Sequence, residues 1–101
     1  AVPVGGGIGF IDLFVRLANG RLAIEAELSP KRIAGDLDKA TAAGADELWI
    51  VVPTSAVAKS VRRKLSRLGA VHPRPKVFIL TLGEARQRVR NCFPLNSGAN
   101  P

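Results

Sequence analysis

An α/β fold is predicted, with a mixed β-sheet made of a hairpin and two parallel strands and with helices on both faces. Two β-prone runs joined by Asn19-Gly20 give the hairpin. Two continuous apolar runs, ELWIVVP (47–53) and VFILTL (77–82), read as strands covered on both sides. Helical periodicities between and after them supply the crossovers that parallel strands require.

In chain order, AVPVGGGIG (1–9) is glycine-rich and reads as an irregular lead-in. FIDLFVRL and RLAIEAEL flank Asn19-Gly20, expected as the two central residues of a type I′ turn. Ser29-Pro30 is an N-cap followed by Pro at the first helical position. The helix it starts runs to about Ala43, with Ile33, Leu37 and Ala40 on one face and Gly44 as its stop. Thr54 or Ser55 caps a second helix to Leu68, whose apolar stripe is Val57, Val61, Leu65 and Leu68. After a Pro-rich connector and the last strand, 83–92 forms a short helix and 93–101 a flexible tail. One domain over 10–92 is expected from 101 residues.

Composition narrows the function classes. Fifteen Lys and Arg against eight Asp and Glu give a formal charge of +7, which favours a polyanionic partner, DNA above all. Cys92 is the single cysteine, so an internal disulfide framework and a Cys-rich zinc site are excluded. No apolar run reaches the roughly 18–20 residues of a membrane span, and the N-terminus lacks signal-peptide features. A cytoplasmic protein without a membrane partner is expected. The first residue is not Met, so an upstream segment of a larger parent chain is expected as well.

With Asn19-Gly20 as the turn, Phe14 pairs with Glu25 and Asp12 with Glu27. Ile11, Leu13, Val15, Ile24, Ala26 and Leu28 then form the core face, and Asp12, Glu25 and Glu27 gather on the outer one. Two carboxylates about 5 Å apart at an effective dielectric of about 20 repel by roughly 3 kcal/mol. A chain with excess positive charge has no general reason to collect acids there. Three compensations are open: a divalent metal, a Lys or Arg between the acids, or a carboxyl that keeps its proton. Oxygen ligands favour Mg²⁺ or Mn²⁺. A solvated outer face neutralised by Arg16, Arg21 or Lys31 is the plain alternative.

The stretch GFIDLFVRLANGRLAIEAELSPK, followed by a helix and the strand WIVVP, resembles the PD-(D/E)xK, or restriction-endonuclease-like, nuclease superfamily. Within that superfamily it resembles an E-x-E variant found among archaeal resolvase-like and plasmid or mobile-element nuclease domains. The likeness covers about residues 7–82. The resemblance implies a restriction-endonuclease-like core, Mg²⁺ or Mn²⁺ held by Asp12 and Glu25, and hydrolysis of phosphodiester bonds. Glu27 stands where the family usually has Lys, and the resemblance implies that it orients or deprotonates the attacking water. Lys31 is the nearby cation that would stabilise developing charge. The family's core also has a helix and a strand before the Asp-bearing strand, and residues 1–9 are too short to supply both. A homodimer or the parent chain would complete so small a core.

Lys59, Arg62, Arg63, Lys64 and Arg67 lie opposite the second helix's apolar stripe, the pattern of a phosphate-contacting face. Arg86, Arg88 and Arg90 form a weaker second cluster. GGGIG (5–9) precedes a strand rather than a helix, which excludes a dinucleotide loop. His72 is expected in a surface loop and Trp49 in the core. The expected function is a metal-dependent endonuclease. A catalytically silent DNA-binding module on the same fold, and a protein-interaction domain using the carboxylate face, are the alternatives.

Overall fold

The computed structural model describes residues 2–4, 7–9, 12–69 and 75–92. Cys92 is described in backbone only, and Phe10, Ile11, His72 and the tail from 93 lie outside the described residues. The glycine-rich start, expected to be irregular, holds two short strands, β1 (Val2–Val4) and β2 (Gly7–Gly9), paired antiparallel. β1 runs alongside the first helix.

The main sheet contains β3 (Leu13–Leu17), β4 (Gly20–Ala26), β5 (Glu47–Val52) and β6 (Lys76–Thr81), adjacent in that order. β3 and β4 are antiparallel, while β4, β5 and β6 are parallel. The parallel steps are bridged by α1 (Ile33–Ala42) and α2 (Ser55–Leu68), and α3 (Leu82–Cys92) follows β6. The α/β fold and its mixed sheet are as expected.

Local chemistry sets the boundaries. Ser29 Oγ accepts from Lys31 N, and Pro30–Arg32 make a 3-10 turn that leads into α1 rather than belonging to it. Gly44 ends α1 with φ +73°, a conformation that favours glycine. Thr54 Oγ1 accepts from Val57 N to cap α2. Thr81 and Glu84 cap α3 reciprocally: Glu84 Oε1 accepts from Thr81 N, and Thr81 Oγ1 accepts from Glu84 N.

Side chains alternate across the sheet into two apolar layers. Ala23, Leu48, Ile50 and Val52 pack under α1 and α2 with Ile33, Leu37, Ala40, Ala58 and Val61. Leu22, Trp49 and Leu80 face the other way, toward Ala85 of α3. Burying each large aliphatic chain stabilises the fold by roughly 1.5–3 kcal/mol. Arg88 of α3 lies 4.1 Å from the Phe78 ring centroid and 5.7 Å from that of Trp49, capping the second layer.

The hairpin differs from expectation in two ways. Its turn is Ala18-Asn19, and Gly20 is already in the ladder opposite Leu17, a register two residues away from the expected one. Gly20 serves close approach instead of a left-handed turn. A Cβ there would lie 2.9 Å from Asp46 Oδ2, which accepts from Arg21 N at 2.8 Å. A two-residue shift leaves every side chain on its own face, but the faces themselves are exchanged. Leu13 is 53% exposed and Leu28 82%, whereas Ala23, Glu25 and Glu27 are buried. The physical reason is that α1 and α2 cover the side that carries the acids. Alternation cannot distinguish the two faces of a strand when helices cover both sides of the sheet.

Candidate metal centre

β4 projects Glu25 and Glu27 from the same face, two residues apart. Glu27 lies just past the strand, where its N–H donates to Val51 O of β5 at 2.9 Å and holds it in line. α1 lies over this face and presents Asp36 and Lys39, three residues apart. Lys39 Nζ is 3.1 Å from Glu25 Oε2 and 3.7 Å from Asp36 Oδ1. Carboxylate oxygens of Glu25, Glu27 and Asp36 lie within 4.8 Å of one another. Glu25 and Asp36 are each 1% exposed and Glu27 8%, so these are core acids.

Burial dominates their electrostatics. It raises the Glu25 carboxyl above the ordinary range and Asp12 adds to the rise, while Lys39 pulls the other way. Asp36 is pushed up to about 8, first by burial and then by a hydrogen bond with Glu27 and the charges of Glu25 and Glu27. Lys39 gains a firmer hold on its proton because Glu25, Asp36 and Asp12 outweigh the cost of its burial. Asp36 Oδ2 is buried without a hydrogen-bond partner. A proton on Asp36 turns its contact with Glu27 into a hydrogen bond. Two of the three compensations expected for clustered acids are therefore built in: a lysine between carboxylates, and a carboxyl that keeps its proton at neutral pH.

No protein-family model, curated protein or solved structure matches this chain.

Asp12 lies at the open end of the hairpin, and extending the register by one pair sets it against Glu25 rather than Glu27. Its Oδ2 accepts from Ala26 N at 2.9 Å, closing the ladder where the chain bends. Asp12 is exposed, and its charge reaches both Glu25 and Lys39. Lys31 is exposed on the 3-10 turn and forms no ion pair with the acids. The cation at the cluster is Lys39. Arg16 and Arg21, the other expected neutralisers, pair with each other across the hairpin and are exposed. Because α1 covers the acids, Glu25 and Glu27 offer no exposed carboxylate face to a basic partner.

Asp36 and Lys39 are the residues that sequence reasoning missed, although one signal was present. Ile33, Asp36, Leu37 and Ala40 are all buried, an i, i+3, i+4, i+7 stripe with an acid in a core-facing position. On α2, Lys59, Arg62, Arg63 and Arg67 are exposed and Lys64 half-buried, opposite Ala58 and Val61. The basic face expected of this helix is thus displayed to solvent.

Proposed function

We propose that this chain is a metal-dependent nuclease acting on DNA, on a restriction-endonuclease-like core. One observation carries the reading: carboxylate oxygens of Glu25, Glu27 and Asp36 converge within 4.8 Å of one another in a buried, all-oxygen cluster. A hard divalent cation fits such donors, and Mg²⁺ or Mn²⁺ would be held by Glu25, Glu27 and Asp36, with Asp12 at the exposed edge. When bound, the ion supplies Lewis-acid polarisation of a phosphoryl oxygen and a more acidic water.

The chain's own groups divide the remaining work. Glu27, the most exposed of the three buried acids, orients a water or takes its proton. Lys39, with an 18% exposed side chain, puts positive charge beside the cluster and stabilises a charged phosphate there. The cations of α2 hold the phosphate backbone without choosing a sequence. The order hairpin, helix, parallel strand, with the acids on the hairpin, supports the family likeness.

The silent DNA-binding module is the second reading. What favours it is that Lys39 and the Asp36 proton already balance much of the cluster's charge. Incubation with supercoiled, linear and branched DNA, with Mg²⁺, Mn²⁺ or EDTA, separates the two. The nuclease reading expects metal-dependent cleavage that Glu25→Gln abolishes. Salt-sensitive binding without cleavage in any metal leaves the silent module.

A further inference from the structure

A groove of about 390 Å³ runs between α3 and strands β4 and β5. That volume falls within the range of about 300–1,000 Å³ usual for binding pockets. Ile24, Val51, Leu82, Ala85 and Val89 form its apolar floor and wall. Leu13 stands directly opposite Ile24 in the hairpin and extends the apolar strip. Leu13, Leu82 and Val89 are 53%, 62% and 41% exposed, so three of the four exposed large hydrophobics among the described residues gather at this one place. Scattered exposed leucines need no explanation, but a cluster marks an interaction surface.

Charge decides the occupant. Arg86 and Arg90 line the groove, and its described lining contains no acid. Glu84, the one acid of α3, is occupied with the Thr81 cap. A second copy docked through the same face would bring Arg86 and Arg90 against their counterparts in a chain of charge +7. We propose that this groove docks an acidic amphipathic helix of another protein, its apolar side against Leu82, Val89 and Ile24 and its carboxylates beside Arg86 and Arg90. Leu82 and Val89 are seven residues apart on α3, a separation of about 10 Å along the axis, which suits the i and i+7 anchors of a partner helix. The surface lies on the opposite face of the sheet from Glu25 and Asp36, so the proposal stands apart from the nuclease reading.

The test is fluorescence anisotropy with the full chain and two labelled amphipathic peptides of about 18 residues, with identical leucine spacing and either Glu or Lys on the polar face. The proposal expects the Glu peptide to bind about ten-fold or more tighter than the Lys peptide, and Leu82→Ser with Val89→Ser to remove about ten-fold of that affinity. Arg86→Ser with Arg90→Ser should reduce the discrimination, and Lys59→Ser with Arg62→Ser and Arg63→Ser should leave it intact. Circular dichroism checks that the surface variants are folded. Failure of either peptide to bind, binding insensitive to Leu82 and Val89, or binding lost only in the α2 variant overturns the proposal. So does a dimer in sedimentation that the Leu82/Val89 variant dissolves, since the occupant would then be a second copy.

Discussion

Lys39 Nζ stands 3.1 Å from Glu25 Oε2, joining a residue of α1 to one of β4 beneath it. The pair fastens the crossover helix to the hairpin and offsets part of the rise that burial imposes on the Glu25 carboxyl. Replacing Lys39 with Met leaves Glu25 and Asp36 without their cation. Losing one partner of a fully buried pair costs about 3–5 kcal/mol, and the partial exposure of Lys39 reduces this to about 2 kcal/mol. Urea unfolding should show that loss at pH 7 and a smaller one as pH falls and the Glu25 carboxyl, raised by burial, takes up a proton.

Asp36 makes stability depend on pH. Its carboxyl is raised from an ordinary 3.8 to about 8, so between these values the folded chain binds a proton that the unfolded chain has released. The contribution is fully present below the lower value and is lost as pH rises through the upper one. Glu25 is raised too and acts in the same direction. Thermal unfolding in EDTA should therefore give a Tm that falls from pH 5 to pH 8, and Asp36→Asn should flatten the decline.

Gly20→Ala tests the hairpin register. The new methyl would meet Asp46 Oδ2 at 2.9 Å and displace it from Arg21 N. A cost of about 1–2 kcal/mol is expected. In a double-mutant cycle with Asp46→Ala the two losses should not add, because they remove the same contact.

The exposed cations of α2 should govern DNA affinity. Substituting Lys59, Arg62 and Arg63 with Ser should weaken binding to any sequence and flatten its salt dependence. Stability should change by less than about 0.5 kcal/mol for each exposed position.

Much of the element order was legible because local signals agreed with one another. Gly44 and Thr54 act where the sequence put them, Ser29-Pro30 opens a 3-10 turn just ahead of α1, and the apolar runs at 47 and 77 are the parallel strands. The hairpin register was not legible. Gly20 serves Asp46, 26 residues away, and no local pattern reveals such an approach. The exchange of its faces has the same origin, since which side α1 and α2 cover is a tertiary outcome. Glu25 and Glu27 were recognised as a pair of acids, but their burial depends on that outcome. Asp36 and Lys39 looked like ordinary charges on a helix until α1 was laid across β4.

The central claim is that Glu25, Glu27 and Asp36 form a divalent-metal site. Titration of the full chain with Mn²⁺, followed by calorimetry at neutral pH, tests it most directly. One saturable site is expected, with release of the proton that Asp36 holds and with binding lost in Glu25→Gln and Asp36→Asn. Absence of saturable binding, or binding that both variants retain, would contradict the claim and leave Lys39 and the cluster as a structural clamp between α1 and the sheet.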